Sequence, residues 1–420
     1  MKRRDFLRSI ASTAILPVPL LGLESCQDAV QMSQDTYSFD EIIDRTGTNS
    51  IKYGRLEGTG QDKIPMTIAD MDFKTAPAVF QALRARLDRD VMGYTRTPED
   101  YYESIVSWVR NQTGWDIQRE WVEYCPGVIT TLCLAIECYS EKGDKVIVQP
   151  PVYDPFMSYT RRLGREVSYN PLILKDGVYQ MDFDQLESVI DDKTKMLILC
   201  NPHNPGGRMW DKQSLMRLAH ICHEHHIVVI SDEIHNDLTL FGKKHVPFLS
   251  VSQEAAQTGV ILTGPTKTFN LAGLGAAQCY IVNEDLRKTL VDYMDNHKLS
   301  EASITTMVLT IAGYTKGYEW LDELRSYIGG NVTYALETFQ KRMPQIKVTK
   351  PEASFLLWLD CRELKLEQKD LVSLFQDKAG VMINNGAGYG PGGEGFIRMN
   401  IGCPRSVLEE ALDRIANALG

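Results

Sequence analysis

The chain has 420 residues, 43% hydrophobic and 24% charged, with 31 glycines and 18 prolines. At about 100–200 residues per domain, that allows roughly two to four domains and excludes a disulfide-stapled module, a disordered chain or a collagen-like fibre. Forty-five Lys+Arg against 55 Asp+Glu give a net charge of −10, and with no basic stripe to offset it this acidity argues against nucleic acid as a partner.

The chain opens MKRRDFLRSIASTAILPVPLLGLESC. Residues 1–26 read as an export signal rather than as part of the fold. Arg3 and Arg4 form a charged head, and residues 10–23 form an apolar stretch too short and too broken by proline to span a bilayer. RRDFLR resembles the twin-arginine signal, which exports proteins already folded. The LES before Cys26 resembles a loose lipoprotein box with Cys26 as the lipidated residue, although Glu24 is unusual there. The expected location is periplasmic or membrane-anchored through Cys26, the alternative being a cytoplasmic chain.

Residues 27 to about 60 are polar and poorly periodic. From Asp100 onward, helical and strand patterns alternate. The helical stretch ITTLCLAIECYS precedes the strand KVIVQ. The strands MLILC, IVVIS, VILTG and AAQCYIV follow, with a helix around LMRLAHICHEH before the third of these five. Continuous apolar strands separated by helices predict a largely parallel sheet covered on both faces, an α/β fold. After Glu284 the pattern turns helical through Gln340. Short strands (IKVTK, SFLLWLD, FIRMNI) and two helices then predict a smaller α+β portion.

Nine cysteines include no CxxC pair, which removes a zinc ribbon and a thioredoxin motif from consideration. Most sit in apolar runs and read as small buried hydrophobes. In an exported protein, that many unpaired cysteines fit folding in a reducing compartment first. HICHEHH (His220 to His226) offers metal-ligating side chains, but it also lies where a helix ends before IVVIS, a position that favours histidine on electrostatic grounds.

In α/β sheets, ligands gather beyond the C-terminal ends of the strands. There the chain places NPHNPGGR after MLILC, DEIHND after IVVIS and PTKTFNLAG after VILTG, with CPGV before ITTL. These ordered motifs resemble the fold type I pyridoxal 5'-phosphate enzymes of the class I/II aminotransferase family, from about Asp44 to the C-terminus. GTNSIKY, ADMDF, PPVYDPF, SDEIH and PTKTFNLAGLG are most similar to its MalY/PatB branch of carbon–sulfur β-lyases. The resemblance implies an aspartate aminotransferase-like fold: residues 27–75 as an arm and part of the small domain, 76–305 as the large cofactor-binding domain, and 306–420 as the C-terminal small domain.

The resemblance also assigns roles. Lys267 matches the lysine that joins the cofactor aldehyde; a desolvated amine beside cationic groups loses its proton readily and is nucleophilic. Asp232 matches the acid that pairs with the pyridine nitrogen and keeps the ring an electron sink, although Asp after a strand also caps helices. Asn204 matches the donor to the phenolate oxygen, or belongs to a Pro/Gly turn. Gly127, Val128 and Ile129 would offer backbone N–H groups to the phosphate, together with Thr266. Tyr153 matches the aromatic stacked on the ring, or is a core tyrosine. Arg398 matches the arginine that grips the substrate carboxylate. Tyr94 matches a tyrosine lent to the phosphate by a neighbouring subunit, which implies a homodimer with shared sites.

Three positions depart from the aminotransferase pattern: His235 stands for Tyr, Gly275 for Arg and Gly264 for Ser. His235 and Gly275 resemble the β-lyase branch. The implied activity is release of thiol, pyruvate and ammonia from an L-cysteine conjugate such as cystathionine. The alternatives are an aminotransferase passing nitrogen to a 2-oxo acid, and an idle cofactor- or amino-acid-binding protein.

Overall fold

A computed structural model describes residues 37–54, 56 and 62–420. The export signal read in residues 1–26 and the lipidation read at Cys26 lie outside the described residues. A compact body runs from Phe39 to Gly420.

The main sheet of that body has seven strands: β1 (Val122–Cys125), β2 (Lys145–Val148), β3 (Glu166–Tyr169), β4 (Thr194–Cys200), β5 (Val228–Asp232), β6 (Gly259–Thr263) and β7 (Ala277–Tyr280). Their spatial order is β1-β7-β6-β5-β4-β2-β3. Four neighbouring pairs are parallel, and β7 runs antiparallel to both β6 and β1. The expected largely parallel sheet is therefore present, with one reversed strand. Residues 146–148, 196–199, 229–230 and 260–262 are buried, as a sheet covered on both faces requires.

The helices that matter for the site are α1 (Pro77–Leu87), α2 (Glu99–Thr113), α3 (Val128–Tyr139), α4 (Lys212–Glu224), α5 (Pro265–Thr268), α6 (Ile304–Lys316), α7 (Tyr318–Arg342) and α8 (Arg405–Leu419). The α6 helix packs on α1 and α2, and α7 packs on α8. A second sheet is wholly antiparallel: β8 (Lys347–Val348), β9 (Leu356–Asp360), β10 (Asn384–Asn385) and β11 (Phe396–Asn400), in the order β8-β9-β11-β10. Among the described residues, no helix is long and apolar enough to cross a membrane.

The main-sheet strands β1 and β3 and the helix α1 escaped the sequence pattern. β1, VEYC, has only two buried residues of four, so it offers no continuous apolar run to read. α1 lies before Asp100, ahead of the alternating pattern, and buries only Val79. The histidine-rich HICHEHH segment closes α4, and His220 Nδ1 lies 3.0 Å from Glu254 Oε1. The eight described cysteines are all free thiols, five of them in the main sheet or α3.

Candidate active site

The apolar run of β6 ends at Thr263, and the chain turns directly into the one-turn helix α5, which carries Lys267. Gly264 makes that turn possible. A Cβ there would lie 2.6 Å from Ala276 O and 2.8 Å from Ala277 Cα, so the serine common at this position has no room, and glycine lets β7 pass close behind the lysine. Lys267 Nζ donates to Ala69 O at 2.6 Å. Burial lowers its pKa, and the positive charge of Arg398 adds to the effect against opposing pulls from Asp70 and Asp232. The outcome is an amine that gives up its proton more readily than an ordinary lysine.

Asp232 ends the neighbouring strand β5 and is buried. Its carboxylate accepts from Ile234 N–H at 3.1 Å. Burial pushes its pKa up to about 7, despite the Ile234 bond and the Lys267 charge. A carboxylate placed this way suits a cationic partner supplied from outside the chain. His235 Nδ1 lies 3.1 Å from Ser354 Oγ, and burial keeps its ring neutral, lowering the pKa to about 3 with help from Lys267 and Arg398.

Arg398 comes from the middle of β11 in the second sheet. It donates to Asn204 Oδ1 at 3.3 Å and Asn384 Oδ1 at 2.8 Å, and lies over the Tyr389 ring at 5.5 Å. Among the described residues no carboxylate pairs with it, and its buried Nε has no hydrogen-bond partner. A buried guanidinium held only by amides and a ring is an incomplete anion site, suited to a carboxylate that takes two parallel hydrogen bonds. Arg398→Lys is therefore expected to raise KM about 10- to 100-fold with a much smaller change in kcat, as steady-state kinetics would show.

The start of α3 supplies a second anion seat. Its first intrahelical bond runs from Thr131 N to Gly127 O at 2.8 Å, so the Val128 and Ile129 N–H groups remain free to face a ligand. Val128, Ile129, Tyr153, Asn204, Asp232, His235, Thr266, Lys267 and Arg398 all line one cleft of about 770 Å3. Tyr153 packs edge-on against Phe156, and burial raises its hydroxyl pKa to about 12. Gly275, at φ +59°, lines the same cleft without offering a side chain. A lysine, a buried carboxylate, an amide donor and two anion seats fit the functional groups of pyridoxal 5'-phosphate and an amino-acid carboxylate.

Tyr94 does not join them: it is fully exposed, on the loop after α1. A larger cavity of about 960 Å3, lined by Lys243, His245 and Arg325, lies apart from the lysine and its neighbours. Several contributors were not anticipated from the sequence. Asn384 and Tyr389 support Arg398, and Ala69 receives Lys267 through a backbone carbonyl. Ala69 opens the motif ADMDF, whose Asp72 pairs with Lys52 of GTNSIKY at 2.6 Å, but nothing in either motif marks the Ala69 carbonyl itself.

Residues 61–415 match the family model for aminotransferase class I and II. The chain is 41% identical to cystathionine beta-lyase PatB of Bacillus subtilis over 91% of its own length and all of that protein. It is 34% identical to the protein MalY of Escherichia coli, covering 91% of this chain and 99% of that one. A solved structure of a pyridoxal-phosphate-bound C–S lyase from Staphylococcus hominis superposes with a TM-score of 0.83 at 33% identity, covering 91% and 99% of the two chains.

Proposed function

The chain belongs to the aminotransferase class I and II family, and on that premise we propose that it is a pyridoxal 5'-phosphate-dependent carbon–sulfur β-lyase. Its substrate is an L-cysteine conjugate of the cystathionine type, which with one water gives a thiol, pyruvate and ammonia. The observation that carries this reading is the unpaired, buried Arg398 in the same cleft as Lys267 and Asp232. The relatives named as lyases support the choice over amino transfer.

When bound, the cofactor supplies an electron sink for the negative charge that develops at the substrate Cα. The Val128 and Ile129 amides and Thr266 would hold its phosphate, Asp232 its ring nitrogen and Asn204 its phenolate oxygen, and Tyr153 would stack on its ring. Arg398 fixes the substrate carboxylate, which leaves the amino group and Cα toward Lys267. The amine of Lys267, its pKa lowered by burial, removes the Cα proton. The thiolate then departs from Cβ.

Incubation with cystathionine and no oxo acid is expected to yield pyruvate and free thiol in equal amounts. Activity appearing only after 2-oxoglutarate is added would establish the aminotransferase instead, and no turnover with either would leave a binding protein.

The protein functions as a homodimer in which Tyr94 of each subunit reaches the phosphate of the other. Full exposure of Tyr94, with Val91 and Met92 exposed beside it, supports this reading. Mixing the inactive Lys267→Ala protein with an inactive Tyr94→Ala protein should restore part of the activity, since a hybrid holds one complete site; no recovery in a confirmed hybrid would count against sharing. The twin-arginine-like RRDFLR supports export, so Arg3→Lys with Arg4→Lys should retain the protein in the cytoplasm. An unchanged distribution on fractionation would refute that address, and a soluble rather than membrane-bound exported form would refute lipidation at Cys26.

A further inference from the structure

The segment that receives Lys267 is held in an unusual conformation. Ile68 has φ +49°, a left-handed backbone that a β-branched residue adopts only where its surroundings impose it. The surroundings here are Asn400. Its side-chain amide donates to Ile68 O at 2.7 Å, Asp70 O at 2.7 Å and Thr67 O at 3.3 Å, while its Oδ1 accepts from Gly402 N–H at 2.8 Å. Its backbone N–H donates to Met66 O at 2.9 Å.

On the far side, Asn270 clamps the continuation of the segment. It donates to Met71 O and Phe73 O at 2.8 and 2.9 Å and accepts from Met71 N–H at 3.0 Å. Arg45 and Lys52 bind the Asp70 and Asp72 carboxylates between them. Ala69 thus sits between two amide clamps, and its carbonyl points to Lys267 Nζ at 2.6 Å. Asn400 is two residues beyond Arg398 on β11, so both side chains leave the same face of that strand.

We propose that Asn400 is a positioning residue that acts on Lys267 through the Ala69 carbonyl, making that carbonyl a fixed dock for the lysine's amine whenever the amine is free. A carbonyl aimed at an ammonium favours its charged form and fixes its location. The dock therefore opposes the burial that lowers the amine's pKa, and keeps the base from moving away from the substrate side of the cleft. One strand of the second sheet then sets both ends of the reaction: Arg398 holds the substrate, and Asn400 holds the lysine's resting place. This inference rests on Lys267 being the reactive amine.

The test uses the cofactor-free full-length chain and pyridoxal 5'-phosphate as probe. Attachment at Lys267 is trapped with borohydride, located by mass spectrometry and timed across pH. In Asn400→Ala the pH at which the attachment rate is half-maximal is expected to fall by about one unit, the size of one hydrogen bond to a charged group. In the loaded enzyme, kcat should fall about tenfold with KM little changed, because Arg398 keeps its own partners. Asn400→Ser, which retains one donor, should shift the half-point less, and decides the matter if the alanine variant does not fold. A half-point unchanged in a folded variant overturns the proposal, as does a rise in KM at constant kcat. Absence of any trapped cofactor at Lys267 in the unaltered protein would instead overturn the reading on which it rests.

Discussion

Lys267→Ala is expected to abolish covalent attachment of pyridoxal 5'-phosphate and to reduce turnover by at least about 1,000-fold, the scale of losing the acid–base group. Absorbance of the linked cofactor and pyruvate release read the two effects separately. Folding should survive, because the change removes a buried amine whose hydrogen bond goes to one backbone carbonyl, Ala69 O. The anion seat at α3 and the Asp232 carboxylate remain, so cofactor should still bind, weakly and reversibly. Colour and rate that persisted in this variant would remove Lys267 from the chemistry.

The second large effect concerns Asp232, and its sign depends on pH. Its pKa in the cofactor-free fold is raised to about 7 from an ordinary 3.8. Below pH 4 both folded and unfolded chains carry the proton, and the group contributes nothing to the difference. Between about pH 4 and 7 the unfolded chain releases the proton while the folded chain retains it, so stability falls as pH rises, by up to about 4 kcal/mol. Asp232→Asn should remove that slope: relative to the unaltered protein, the cofactor-free variant gains thermal stability at pH 8 and little at pH 4. The same substitution should lower kcat about 100- to 1,000-fold in the loaded enzyme, since no charge then faces the ring nitrogen. A variant matching the unaltered protein in both melting profile and turnover would show that Asp232 only caps the turn through Ile234.

The groups that follow strands were the legible ones. Asn204, Asp232 and Lys267 each stand within a few residues of a continuous apolar run, and that run announces both the strand and the edge where a ligand collects. Arg398 was legible through its motif, inside FIRMNI. Asn400 sits in that same short motif and carried no signal, because its role is made of hydrogen bonds to carbonyls 330 to 333 positions away in sequence. Ala69 was illegible for a different reason: its contribution is a backbone oxygen, which every residue possesses. Ile68 reads as a strand-former and instead occupies a left-handed turn, because the Asn400 amide selects a conformation its own propensity disfavours. The departure at Gly264 was visible as a difference, but only the approach of Ala276 and Ala277 makes it a steric necessity.

The placement of Arg398 on β11 also sets a timetable for synthesis. A ribosome delivers Asp232 and Lys267 well before Arg398, which lies 131 positions after the lysine, a delay on the order of ten seconds at ordinary elongation rates. During that interval the nascent chain carries Lys267 without the guanidinium proposed to grip the substrate carboxylate. The final segment then delivers Arg398, Asn400 and the covering helix α8 almost together, so a chain cut short after Gly395 loses substrate grip and lysine placement in a single event. Damage near the C-terminus should therefore yield silent protein rather than an enzyme of relaxed selectivity.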